Sequence, residues 1–170
     1  DHVNLVSTKD DLSMAVVQPD QGVFDFSRAE EIVDFAVEND MVVRGHELIS
    51  GAVPGWVGGG TWTVESLGQV LRDQVTAVVG HFRERNPGVI VQWDVIDDAF
   101  LPDGTPRRTI WHQVIGDDYF RIAFEAAREA DPDAALFYDD FYDDVAVTQD
   151  AVASGVSIVP GANAERTTCD

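Results

Sequence analysis

Short β-branched runs alternate with long amphipathic stripes along this chain, and that alternation restricts the fold more than any other feature. Val3–Val6 reads as a short strand, followed by a polar turn at Ser7–Asp11 and a loop at Gln18–Gly22, beside which Val23, Phe24 and Phe26 are expected as apolar anchors. Ser27 and Glu30 have the spacing of a capping box, which satisfies free backbone N–H groups at a helix start. The helix then runs to about Asn39 with Ile32, Val33, Phe35 and Ala36 on one face. Met41–Ile49 is strand-like and leads into the Gly-rich loop Gly51–Gly60. From about Thr63 to Arg85, Leu67, Val70, Leu71, Val75, Val78, Val79 and Phe82 keep the spacing of a single buried helical stripe. Asn86-Pro87-Gly88 stops that helix and launches another strand. A further helix is expected at Tyr119–Ala130, a strand at Ala134–Tyr138 and a last strand at Val156–Pro160. Strands and helices in alternation predict a parallel sheet with right-handed connections.

Chemistry enters at Val89–Phe100, VIVQWDVIDDAF. An apolar run of strand length passes Trp93 and ends in Asp94, Asp97 and Asp98. Parallel α/β sheets carry their sites at the carboxyl ends of the strands, so these acids stand where chemistry is expected. The alternative is a strand that simply stops among solvated acids. Asp97 and Asp98 are the catalytic candidates, because adjacent carboxylates repel and one of them is pushed toward holding a proton near neutral pH. Strand neighbours point to opposite faces, so only one of the pair is expected to face the site. His46 is a binding candidate that could hydrogen-bond a ligand or one of the acids, or be a satisfied buried histidine. Asp139 and Asp140 are further binding candidates, and so is Trp93, for which core packing is the alternative. With Asp143 and Asp144 they spell DDFYDD, which also fits an Mg²⁺- and diphosphate-binding pattern, although here the acids follow a strand rather than line a helix.

The 31 acids against 11 Lys plus Arg give a net charge of −20, which disfavours nucleic acid and anionic membranes as partners. No apolar run has the length of a membrane span. Cys169 is the single cysteine, so no intrachain disulfide forms and the redox compartment is left open. The chain begins at Asp1 without Met, which leaves room for a removed leader or a longer N-terminus. His2, His81 and His112 lack metal-ligand spacing, and Gly58–Gly60 lacks the Lys-Ser/Thr of a phosphate loop, so no metal and no cofactor are expected.

Several segments, in order, resemble glycoside hydrolase family ten, the xylanases built on an eight-stranded (β/α) barrel. QPDQGVFDFSRAEEIVDFAVENDMVVRGHEL resembles the family's passage from second to third strand, and VPGWV the loop that follows. WDVIDDAF resembles WDVVNEAF at the end of the fourth strand, and the segment through LFYDDF the approach to the fifth. The match is strongest over residues 3–142, within a single domain of residues 1–170. The resemblance places the family's general acid at Asp98, its sugar-holding Asn at Asp97 and its fifth-strand Asn-Asp at Asp139-Asp140. It also sets Lys9, Asp10 and Ser13 at the sugar-hydroxyl set, and Ser50 and Gly51 at a Trp-His pair. The family's nucleophile, a Glu of the seventh strand, has no counterpart. A retaining glycosidase needs two carboxyls about 5–5.5 Å apart, so xylan hydrolysis by this chain alone is not expected.

The fold expected is an incomplete (β/α) TIM-barrel type with about four or five parallel strands. Exposed strand edges favour association, and two copies could close one barrel, so a homo-oligomer is expected. The leading functional reading is a repurposed scaffold on which Asp98, with Asp97 and His46, performs acid/base chemistry on a small organic molecule, by isomerisation or cyclisation. The alternatives are a weak β-1,4-xylan-directed hydrolase or sugar-binding pseudoenzyme, and a non-catalytic interaction protein keeping only the fold. Secretion follows from the resemblance, a cytoplasmic location from repurposing.

Overall fold

The computed structural model describes residues 4–140, so the expected strand at Val156–Pro160 and the acids Asp143 and Asp144 lie outside the described residues. Within them β1 (Leu5–Ser7), β2 (Val42–Gly45), β3 (Ile90–Asp97) and β4 (Ala135–Asp139) form one parallel sheet in the order β1-β2-β3-β4. Every step between neighbouring strands passes through helix. The first step carries a 3₁₀ turn at Lys9–Leu12, α1 (Met14–Val17) and α2 (Ser27–Glu38). The second carries α3 (Gly55–Gly58) and α4 (Val64–Arg85), and the third α5 (Ile110–Ile115) and α6 (Asp118–Ala130). Sequential order with helical crossovers is the wall of a (β/α) barrel, here a partial one of four strands among the described residues.

The core lies between the helices and one face of the sheet. The α4 stripe is buried at Leu67, Leu71, Val75, Val78, Val79 and Phe82, as its spacing requires, with Val70 at the margin. Each such side chain contributes on the order of 1.5–3 kcal/mol by leaving water. Thr63 caps α4: its hydroxyl accepts the Ser66 N–H at 3.1 Å while the Ser66 hydroxyl accepts the Thr63 N–H at 3.0 Å. Gln74 sits inside the stripe, fully buried, with neither amide atom bonded among the described residues. On β3, Trp93 faces this layer, 1% exposed and 6.5 Å from the Phe82 ring. Gly45, its register partner on β2, lies directly against the indole, where a Cβ would collide with the ring.

The structure corrects the expected capping box at Ser27. Ser27 is already the first residue of α2, and its N–H is taken by the Asp25 carboxylate at 3.0 Å. Glu30 turns away to His81, 2.8 Å from its Nε2. The buried face of α2 is Ala29, Val33 and Ala36, and Phe35 points outward, 53% exposed. Val23 is likewise exposed rather than an anchor, whereas Phe26 stacks on the His81 ring at 4.1 Å.

Candidate functional site

The face of the sheet away from the helices carries the polar side chains. Arg44 of β2 pairs in register with Gln92 of β3, and Asp94, two residues on, pairs with Phe137 of β4. Regular alternation would then send Asp97 to the helix side, since it is an odd number of residues from Asp94. The β3–β4 register slips between Asp94 and Ile96, so that Asp97 pairs with Asp139. Phe137 and Asp139 share a face, and the slip therefore puts Asp94 and Asp97 on that face together. A bulge of this kind re-aims a side chain at a strand end.

Asp94 is fully buried and saturated with donors. Arg44 grips it bidentately, Nε to Oδ2 at 2.7 Å and Nη2 to Oδ1 at 2.8 Å. His46 Nδ1 lies 2.9 Å from Oδ2. Bidentate guanidinium–carboxylate pairing satisfies a charge that would otherwise be costly at this depth. The Arg44 guanidinium also stands 5.9 Å over the Phe137 ring and 3.3 Å from Asp139. His46 is fixed from its backbone as well, because Thr8 Oγ1 accepts its N–H at 2.8 Å and donates to its carbonyl at 2.9 Å. The His46–Glu47 peptide is cis. The hydrogen bond to Asp94 raises the His46 imidazole to about 8, against the effect of burial.

Around this pair gather more acids than cations. Asp97 is pushed up to about 7, first by burial and then by the charge of Glu47, with His46 pulling the other way. Asp139 is raised by burial and by the charge of Asp94, with Arg44 and His46 opposing. Glu47 is buried, and its Oε2 is 3.2 Å from His46 Nε2. Such a group holds a proton near neutral pH that belongs to the set rather than to one residue.

Asp98 takes a different place. It lies just past β3 in the left-handed region at φ 52°, and its N–H donates to the Asp139 carbonyl at 3.0 Å. Its Oδ1 accepts from Arg107 Nη2 at 2.8 Å, with the side chain 38% exposed. Thus the structure brings His46, Asp97 and Asp139 together, sets Asp98 at the rim on Arg107, and bonds Asp140 to the Tyr138 hydroxyl. Trp93, a sequence candidate for ligand contact, is buried on the opposite face of β3 against α4. Arg44, Glu47 and Thr8 are the site residues that sequence reasoning did not single out, and Asp94 stood out only as one of the acids ending the strand. A charged Arg inside a β-branched strand was the available signal for the first of them. Ser50 accepts Trp111 Nε1 at its carbonyl, 2.9 Å, which ties α5 beneath the loop after β2.

Among the described residues two groups of side chains offer donor atoms within 4.8 Å of one another, Asp10 with His46 and Glu47, and His46 with Asp94 and Asp139. Among the described residues no helix is long and apolar enough to cross a membrane.

Comparison with known proteins agrees with this geometry. The model of glycosyl hydrolase family 10 matches residues 1–161. Endo-1,4-beta-xylanase B of Thermotoga neapolitana is 39% identical over 139 residues, which span 81% of this chain and 39% of the relative. Xylanase 10B of Thermotoga petrophila, solved with xylobiose, superposes with a TM-score of 0.77 at 38% identity, over 82% of this chain and 42% of the xylanase. The intracellular xylanase TsXylA of Thermoanaerobacterium saccharolyticum, whose E251A mutant was solved with xylotetraose, gives 0.78 at 34% identity, over 82% and 46%. The chain therefore spans at most about two fifths of the length of the curated relatives it matches, and about an eighth of Endo-1,4-beta-xylanase A of Thermotoga neapolitana. On a family model covering most of its length and on these identities, the chain belongs to glycosyl hydrolase family 10.

Proposed function

We propose that this cluster of His46 and acids is the sugar-holding and proton-donating side of a glycosidase site directed at β-1,4-linked xylosyl chains. The observation that carries the reading is Asp97, a carboxyl at the carboxyl end of β3, turned to the face of Asp94 and Asp139 by the register slip and raised to about 7. A carboxyl that keeps its proton near neutral pH can deliver it to a glycosidic oxygen as the bond breaks. His46 and Asp139 flank it and are placed to hold sugar hydroxyls, while Asp98 and Arg107 form the rim. Retaining hydrolysis also requires a carboxylate nucleophile across the scissile bond. Residues 4–140 assign none, so binding with little turnover is expected of this chain by itself.

Titration of xylobiose and xylotetraose into the EDTA-treated chain, followed by calorimetry, tests this. Saturable binding is expected, weakened about tenfold or more in His46→Ala and Asp139→Ala, since a hydrogen bond to a charged group is worth about 1.5–3 kcal/mol. Xylan incubated with the chain should release no reducing sugar. A folded chain that binds neither oligosaccharide would remove the reading, and release of sugar from xylan would reveal a nucleophile that the reading omits.

Acid-assisted isomerisation or ring closure of a small organic molecule is a second reading, favoured by the same proton on Asp97 and by its needing no nucleophile. The relatives named above are xylanases and carry no sign of that chemistry, so xylosyl ligands are tested first. Closure of one barrel by two copies of the chain belongs to the same set of proposals. Sedimentation equilibrium showing a species at twice the chain mass supports it, and a monomer at micromolar concentration removes it.

A further inference from the structure

We propose that Asp10, His46 and Glu47 form a binding site for a first-row divalent transition-metal ion such as Zn²⁺, Mn²⁺ or Co²⁺. Their donor atoms already lie within 4.8 Å of one another, at the carboxyl ends of β1 and β2. Zinc bonds of about 2.0–2.2 Å set tetrahedral ligands roughly 3.4 Å apart, a spacing that small side-chain rotations reach from here.

Two further observations separate this trio from an ordinary acidic patch. First, the His46 ring is oriented by Asp94, whose Oδ2 is 2.9 Å from Nδ1 and whose oxygens are otherwise held by Arg44. An acceptor this strong keeps a proton on Nδ1, so that the proton lost when the ring becomes neutral is the one on Nε2, and its lone pair then faces Glu47. Metal-ligating histidines are oriented in the same manner, the second nitrogen donating to a carboxylate. Second, Nε2 faces Glu47 Oε2 at 3.2 Å, and Glu47 is only 6% exposed. Among the described residues Glu47 has no partner beyond the His46 ring. With Nδ1–H given to Asp94, a proton on Nε2 makes this contact an ion pair, and a metal ion would take that proton's place between the two donor atoms. Asp10, exposed on the 3₁₀ turn, supplies the third donor atom.

A mixed nitrogen and oxygen donor set favours a transition metal over Mg²⁺ or Ca²⁺, which prefer oxygen alone. The neighbouring trio of His46, Asp94 and Asp139 is not free for the same role, because Arg44 already occupies both Asp94 oxygens.

The test uses the full chain stripped with a chelator and titrated with Zn²⁺, Mn²⁺ and Co²⁺ by calorimetry, with the visible spectrum of the Co²⁺ form as a second readout. One equivalent is expected to bind with a dissociation constant below about 100 µM, and His46→Gln, Glu47→Gln and Asp10→Asn are each expected to weaken it tenfold or more, in line with the loss of a first ligand. The surface variant Asp118→Asn should leave it unchanged. Absence of one-equivalent binding, or binding that Glu47→Gln leaves intact, would overturn the site. Equal affinity for Ca²⁺ and Mg²⁺ with no effect of His46→Gln would overturn it too, as the mark of diffuse attraction to an acidic chain. Sugar binding is measured in EDTA, so failure of this site and failure of the glycosidase reading are separate results.

Discussion

Replacing Asp97 by Asn tests the electrostatics of the acid cluster while nearly preserving the shape of the side chain. The Asp97 carboxyl moves from 3.8 to about 7 on folding, with burial as the main cause and the charge of Glu47 next. That is roughly three units, or about 4 kcal/mol at 1.36 kcal/mol per unit. Asp97 is partly exposed and shares its proton with its neighbours, so screening brings the expected effect to about 2 kcal/mol. The sign follows from proton binding. Between about pH 4 and 7 the folded state holds a proton that the unfolded state has released, so stability falls as pH rises through that window. Asn has no proton to lose. Asp97→Asn should therefore match the parent at pH 4 and exceed it by about 2 kcal/mol at pH 8, read from urea unfolding at both values in chelator-treated protein. His46, raised by Asp94 to about 8, stabilises fully below 6.5 and loses that contribution as pH passes 8, which steepens the decline of the parent. An increment equal at pH 4 and pH 8, or a variant less stable at pH 8, would refute the placement of Asp97 in a desolvated group of acids.

Arg44→Met leaves Asp94 buried without its bidentate partner and should destabilise by about 3–5 kcal/mol, the range for breaking a buried pair, as measured by urea unfolding. Gly45→Ala drives a methyl into the Trp93 ring and should destabilise by about 1–3 kcal/mol, with a change in Trp fluorescence on the same titration. Thr63→Ala removes one half of the box at the start of α4 and should cost about 1 kcal/mol, measured by thermal unfolding followed by circular dichroism.

The elements that the sequence made visible are those with sustained periodicity. The α4 stripe needs only its own spacing to declare a long buried helix, α6 stops at Asp131-Pro132, and Asn86-Pro87-Gly88 stops α4 and launches β3. The short helices α1, α3 and α5 are too brief to show a period, and Trp111 holds α5 through a partner 61 residues away. At Ser27 the capping pattern was present, but Asp25 reached the free N–H first and His81 claimed Glu30. In the site, His46 and the acids after β3 stood out by residue type. The grip of Arg44 on Asp94 did not, because it joins two strands 50 residues apart and depends on their register. The residues alone favour core packing over a sugar platform for Trp93, and its register partner, Gly45, places it on the helix side.

The irregular step between Asp94 and Ile96 makes direction and identity separate variables at the end of β3. A strand has two faces and the chain supplies two consecutive acids, so whichever phase the backbone adopts, one carboxyl turns inward. The phase present here turns Asp97 to the side of Asp94 and Asp139 and leaves Asp98 to Arg107. Removing the slip would rotate each acid to the other's side with neither residue altered. Point substitutions at these two positions therefore probe only what each acid does, whereas a one-residue deletion at Val95 probes which of them is asked to do it.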